Sequence, residues 1–221
     1  MNTQKEVFLQ HIRSALLSHK TAPAPLPTDQ EYQSARLVNN QADLTDRFIR
    51  LAREAKMEVY PVHSPAQLRD ELSLLIQRLH LKTILLADDP LLASLAIQTA
   101  LQTIPHLEII SPSIDSDTLV SAAFTSSAAI SAAALALAET GSLVLTAAPY
   151  HPRLLSVAPP VHICILPASR LLPDLLDLLN PENFATSHLT LVSSPSKTAD
   201  IEMTLVYGAH GPITEHLFLL E

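Results

Sequence analysis

Lys82-Thr83-Ile84-Leu85-Leu86-Ala87-Asp88-Asp89-Pro90 is the stretch on which the fold turns. An aliphatic run of strand length gives way, without a spacer, to two aspartates and a proline. Proline loses no hydrogen bond in the first turn of a helix, and its fixed φ suits that position. The stretch therefore predicts a strand over 82–87 followed at once by a helix to about Thr103.

The same alternation extends in both directions. Upstream, a helix from about Thr45 to Lys56 precedes a short strand, Met57-Glu58-Val59-Tyr60-Pro61-Val62. Ser64-Pro65 then supplies an N-cap and a first-turn proline for a helix carrying Leu68, Leu72, Leu75 and Ile76. Downstream, Leu107–Ile110 reads as a strand, Asp117 to about Phe124 as a helix, and Ser126–Ser131 as a weak strand before alanine-rich 132–138. Gly141–Leu145, Val161–Leu166, Thr190–Val192, Met203–Val206 and His216–Leu220 read as further strands, and Pro173–Leu179 as a helix. Apolar strands alternating with helices predict an α/β fold with a mostly parallel central sheet flanked by helices. The crowding of strands near the C-terminus predicts some antiparallel or mixed pairing there.

The first 40 residues read differently. Val7, Phe8, Ile12, Ala15 and Leu16 share one face of a helix over 3–19, and Pro23, Pro25 and Pro27 then impose an extended linker. Residues 1–40 are thus a helical arm with a proline-rich linker, packing on the body or on a second subunit of a homo-oligomer. Residues 41–221 form the α/β domain.

Composition narrows the function. Fourteen basic against 22 acidic residues give a net charge of −8, with no Lys/Arg run, which argues against nucleic-acid binding. A single cysteine, Cys164, cannot form an intramolecular disulfide, a thiolate zinc site or an iron–sulfur cluster within one chain. It lies in an apolar strand-like run and reads as an inert buried thiol. Ten histidines include no HExxH pair, so no metal site is expected, and three glycines cannot supply GxGxxG or a phosphate-binding loop. The N-terminus shows no apolar signal region and no run reaches the length of a membrane span, so a cytoplasmic protein is expected.

The three glycines mark two polar turns, Ala138-Glu139-Thr140-Gly141-Ser142 and Gly208-Ala209-His210-Gly211-Pro212. A third polar stretch, Ser194-Pro195-Ser196-Lys197-Thr198-Ala199-Asp200-Ile201-Glu202, lies just before the second turn. Its hydroxyls, backbone N–H groups and Lys197 suit a carboxylate or phosphate, on the expectation that it leaves the carboxyl end of a sheet strand. It reads equally as a capped loop whose charges pair locally. His210, between two glycines, is placed as a general acid/base or ligand-binding group, or as a turn residue bonded to backbone. Glu139 is placed as a site acid or nucleophile, or as a solvated helix-end residue. Arg153 suits anion recognition or a surface salt bridge, and His162, inside a strand, reads as a hydrogen-bonded core histidine.

Taken in order, Ala138-Glu139-Thr140-Gly141-Ser142-Leu143-Val144-Leu145, Pro159-Pro160-Val161-His162-Ile163-Cys164-Ile165-Leu166, Ser196-Lys197-Thr198-Ala199-Asp200-Ile201-Glu202 and Gly208-Ala209-His210-Gly211-Pro212 resemble the LUD-domain family. The resemblance covers roughly residues 40–221, and Arg153 and Ser156 also fall where that family has an arginine and a serine. One departure is visible: Ala129-Ile130-Ser131 stands where the family usually has a glycine before an Ile/Val-Thr step.

The resemblance implies a fold like that of NagB, ribose-5-phosphate isomerase and the CoA transferases. It implies a part in oxidising L-lactate to pyruvate beside partner proteins that carry the iron–sulfur clusters, with no cofactor on this chain and a small anion such as lactate as ligand. The site it suggests has Glu139, His210 and Asp200 as catalytic groups. Thr140, Gly141, Arg153, Ser196, Lys197, Thr198, Glu202 and Gly211 would contact substrate or anion. A stand-alone enzyme acting on a small phosphorylated or CoA-linked anion, and a non-catalytic assembly or regulatory subunit, are the alternatives.

Overall fold

The structure is a computed structural model that describes residues 3–18, 44–112, 116–148, 152–178, 188–199 and 205–221. The chain divides into two units, Met1–Ala35 and Arg36–Glu221. In the first, helix α1 spans Thr3–Ser18, where the amphipathic pattern places it. The proline-rich linker lies outside the described residues.

The second unit contains strands β1 (Glu58–Val62), β2 (Thr83–Leu86), β3 (Glu108–Ile110), β4 (Ala128–Ala132), β5 (Leu135–Leu137), β6 (Ser142–Thr146), β7 (Val161–Pro167), β8 (Leu171–Leu172), β9 (Leu189–Val192), β10 (Lys197–Ala199), β11 (Leu205–Tyr207) and β12 (Thr214–Leu220). Its helices are α2 (Leu44–Glu54), α3 (Pro65–Arg78), α4 (Pro90–Ser94), α5 (Ile97–Leu101), α6 (Ser116–Thr125) and α7 (Leu175–Leu178). Six strands form one sheet in the order β1-β12-β7-β4-β2-β3. Every pairing in it is parallel.

A parallel sheet is covered on both faces, which is why its strands read as continuous apolar runs. In β7 and β12 all five interior residues are buried. Alternation sends Ile130, Ile163, Ile165 and Phe218 to one cluster with Leu68, Leu72, Leu75 and Ile76 of α3. Cys164, Leu166, Leu217 and Leu219 point the other way, against Phe48 and Ala52 of α2 and Leu143 and Leu145 of β6. Each fully buried large side chain adds about 1.5–3 kcal/mol over the exposed state. β1 is an edge strand, so Pro61 removes a donor without breaking the central ladder. Ser64 caps α3 as expected, its Oγ accepting from Gln67 N at 3.2 Å.

The structure departs from the sequence reading in three places. The helix expected to run from Asp89 to Thr103 is two short helices, separated by Ala96 in the left-handed region at φ 53°. β6 and β9 are strands, but not of the central sheet. They belong to a second sheet, β8-β5-β6-β9, in which β6 is antiparallel to both β5 and β9. The 194–202 segment therefore leaves an antiparallel strand, not the carboxyl edge of the parallel sheet. The mixed pairing expected near the C-terminus is present: β9 is antiparallel to β6 and β10 to β11, while β12 inserts between β7 and β1 and runs parallel to both.

His216, at the start of β12, is 1% exposed and stacks on Tyr60 with ring centroids 6.0 Å apart. Burial holds its pKa below the ordinary 6.5, against the pull of Glu58. A base with a depressed folded pKa contributes stability that is full above the unfolded pKa and is lost as pH falls through it. Thermal melts from pH 7.5 to 5 should therefore fall for the wild type more steeply than for His216→Gln, most of the difference developing below 6.5; parallel curves would refute the linkage.

Candidate functional site

Beyond β9 the chain turns through 193–196 into the β10–β11 hairpin and returns through 208–213 to β12. Ser196 ties the two turns together. Its N–H donates to Pro212 O at 2.9 Å, its carbonyl accepts from Gly208 N at 3.0 Å, and its Oγ accepts from His210 N at 3.1 Å. Gly208 adopts φ +78°, a conformation that favours glycine. Gly211 brings its Cα side within contact of Ser196, since a Cβ there would sit 3.3 Å from Ser196 Cβ.

These turns and the 3₁₀ turn Arg153–Ser156 border an open cleft of about 650 Å³, whose polar lining includes Ser156, Ser193, Ser194, Ser196, Lys197 and His210. Lys197 and His210 are exposed, and Lys197 makes no ion pair among the described residues. A flexible ammonium beside several hydroxyls and an imidazole suits an anion of modest size, held as a point charge rather than by a rigid fork.

The other residues singled out from the sequence lie elsewhere. Glu139 Oε2 accepts from Leu175 N at 3.4 Å at the start of α7, and its own N–H donates to Pro173 O. Gly141 closes the β5–β6 turn at φ +69° against the backbone of α2. Thr140 Oγ1 is 2.7 Å from Ser142 Oγ, which is 2.7 Å from Ser193 Oγ, so a chain of hydroxyls runs from the Glu139 turn to the wall of the cleft. Arg153 is exposed and does not line the cleft, although Ser156, one turn on, does. The backbone of Thr198 pairs with Val206 in the hairpin. Asp200 and Glu202 lie outside the described residues. Among the described residues the cleft thus gathers Ser196, Lys197, His210 and Gly211, while Glu139, Thr140 and Gly141 form a separate turn linked to it through Ser142 and Ser193.

A buried polar chain crosses three strands of the central sheet. Ser131 Oγ and His162 Nε2 lie 2.8 Å apart, and His162 Nδ1 and Glu215 Oε1 2.5 Å apart, with all three residues at most 1% exposed. His162 is the core histidine that its strand context predicts. Burial raises the Glu215 carboxyl above its ordinary value, with His162 opposing the rise. Glu215 was not singled out from the sequence; the one available signal is a carboxylate two residues before the apolar run of β12. Cys164 is fully buried, and burial pushes its thiol well above the ordinary range, as an unreactive thiol requires. No three His, Cys, Asp or Glu side chains are gathered as a metal site would need among the described residues. No helix among them is long and apolar enough to cross a membrane.

The LUD domain family model matches residues 45–220. A Neisseria meningitidis protein called uncharacterized protein NMB1437 is 44% identical over 80 residues, covering 34% of this chain and 34% of its own length, so the chain matches about a third of that relative. Lactate utilization protein C of an Exiguobacterium strain is 29% identical over 224 residues, covering 96% of this chain and 93% of its own. The crystal structure of a DUF162 family protein from Deinococcus radiodurans has the same fold, with a TM-score of 0.56 at 17% identity over 83% of this chain and 99% of the other.

Proposed function

Since the chain belongs to the LUD domain family, we propose that it is a subunit of a lactate-utilisation system and that the Ser194–Lys197 cleft holds a small anion such as lactate. The observation that carries this reading is the nearly end-to-end match to a relative named lactate utilization protein C. The cleft supports it chemically, because Lys197, the Ser196 turn and His210 converge there.

In this reading the chain takes part in oxidising L-lactate to pyruvate in the cytoplasm. That reaction releases two electrons, which need an acceptor. The single thiol of this chain is buried Cys164, so the electrons pass to iron–sulfur partner proteins and this subunit binds or positions the anion. Lys197 supplies the charge that holds the carboxylate. His210, beside it, is suited to accept or return a proton at the ligand's oxygen.

Deleting the gene should abolish growth on L-lactate while leaving growth on pyruvate intact, with the wild-type gene restoring it. Unchanged growth on L-lactate would overturn the reading. Calorimetry on the purified chain should show L-lactate binding at least tenfold weaker in Lys197→Ala, about 1.4 kcal/mol. Equal affinity in the two proteins would remove Lys197 from the site.

A further inference from the structure

The 650 Å³ cleft is not the place where an open parallel sheet ordinarily takes a ligand. That place is the crevice beyond the carboxyl ends of the strands, at the point where the strand order reverses. In this sheet the reversal lies between β2 and β4. β2 leads outward to β3 on one side, and β4 leads through its excursion to β7 on the other. A small cavity of about 170 Å³ opens there, more enclosed than the cleft. Its lining comes from the ends of β2 (Asp89), β4 (Ala132, Ala133), β6 (Thr146) and the 3₁₀ turn after β7 (Arg170). The polar stretches of the sequence did not point to it, because its two charged residues lie 81 positions apart and come to one cavity only in the folded sheet.

Arg170 is half-buried, and its Nη1 donates to Ala133 O at 3.0 Å. That bond anchors one arm of the guanidinium and leaves its other donors for an acceptor. Arg170 forms no ion pair among the described residues, although Asp89 lines the same cavity. Asp89 Oδ1 accepts from Leu91 N at 2.8 Å, which fixes that carboxylate too. A held cation and a held anion thus line one small space without meeting. Ala132 and Ala133, 4% and 0% exposed, line the same cavity, and their methyl side chains are too small to fill it.

We propose that this cavity is a second binding site, separate from the Lys197 cleft, for a short carboxylic acid carrying a hydrogen-bond donor on the carbon next to the carboxyl group. The carboxylate lies against the Arg170 fork, and the hydroxyl or ammonium at C2 donates to Asp89. A planar fork binds a carboxylate through two parallel bonds, which an ammonium cannot do. The volume, below the ~300–1,000 Å³ of drug-sized sites, limits the occupant to a few heavy atoms. A 2-hydroxy acid and a 2-amino acid share this chemistry. The inference stands on the cavity alone and does not depend on the cleft's taking lactate.

The test is hydrogen–deuterium exchange on the full chain, with and without L-lactate, L-alanine, pyruvate or acetate, paired with calorimetry. Binding of L-lactate or L-alanine should slow exchange in peptides covering 131–135 and 168–172. Arg170→Gln should weaken that binding at least tenfold, and Arg170→Lys, which keeps the charge but not the fork, by a smaller factor. Asp89→Asn keeps the Oδ1 bond to Leu91 N; it should weaken L-alanine more than L-lactate, which tells the two occupants apart. Should Arg170→Gln fail to fold, the Arg170→Lys and Asp89→Asn affinities carry the test. Protection confined to 193–197 and 208–212 would place the acid in the cleft, leaving the proposed function intact and overturning this site. Acetate or pyruvate bound as tightly as L-lactate would overturn the role of Asp89 and the ligand class with it, and absence of protection by every acid would overturn the site.

Discussion

Gly141→Ala is expected to lower the melting temperature by about 10 °C. Gly141 sits at φ +69°, where an alanine is strained by about 1–2 kcal/mol. Its Cβ would also lie 2.3 Å from Ala52 N, 2.7 Å from Leu51 C and 2.8 Å from Ala52 Cα. These are backbone atoms of α2 and cannot rotate aside, so the helix itself must shift. Phe48 and Ala52 on that helix are fully buried against the sheet, and such overpacking costs about 1–3 kcal/mol more. The sum, about 2–5 kcal/mol, translates at ~2–4 °C per kcal/mol for a chain of this size. Gly211→Ala is the control. Its φ is not in the left-handed region, and the nearest atom to a new Cβ is the Ser196 side chain at 3.3 Å, so it should shift the melt by a few degrees at most. Calorimetric melts of both proteins decide the matter, and equal shifts would refute the account. The first glycine turn therefore has a packing duty besides any part in a site.

His162→Ala should destabilise the domain by about 1–3 kcal/mol, the cost of leaving the buried Glu215 carboxyl without its hydrogen-bond partner. His162 is bonded on one side to Ser131 and on the other to Glu215, and no water-exposed rearrangement is open to residues at most 1% exposed. Glu215→Gln keeps the shape and a hydrogen bond, so its loss should be smaller, and the double variant should lose less than the sum of the singles. The pH dependence has a definite sign. Burial raises the Glu215 pKa above its ordinary 4.5. A carboxyl raised in the folded state contributes stability that is full below its unfolded pKa and is lost as pH rises through the folded one. The advantage of the wild type over Glu215→Gln should therefore be greatest at and below pH 4.5 and shrink as pH rises. An advantage that grows with pH would show the pair acting as a plain ion pair. Denaturant titrations across that range read both effects.

The elements were legible where local chemistry is decisive. Ser64-Pro65 announces α3, and the bond from Gln67 N to Ser64 Oγ is there. Val161–Leu166 and His216–Leu220 announce strands, and both lie in the middle of the parallel sheet. Leu143-Val144-Leu145 announces a strand equally well, yet it belongs to the second sheet. Periodicity reports that a segment is extended and covered; it carries no information about which strand covers it. For the same reason the sequence of 194–202 does not tell which kind of strand end the segment leaves. Within the site, the clustering of Ser196, Lys197, His210 and Gly211 was readable, because a short hairpin keeps neighbours in sequence near in space. The link from Thr140 through Ser142 to Ser193 was not, since its partners are 51 residues apart at the decisive step.

Residue order alone establishes an α/β chain with a parallel sheet, an amphipathic helix followed in sequence by a proline-rich stretch, a single thiol in an apolar strand, and two polar turns that resemble one family. Those properties rest on dihedral preferences, on burial periodicity and on which side chains are present, all of which act over a few neighbours. Only the folded sheet brings Ser131, His162 and Glu215 into one buried chain and places Arg170 and Asp89 on the lining of one cavity at the reversal of strand order. Those arrangements follow from β12 inserting between β1 and β7 and from β4 lying between β2 and β7. Such registers are settled by the packing of whole strands against one another, a cooperative choice that no local stretch of the chain encodes.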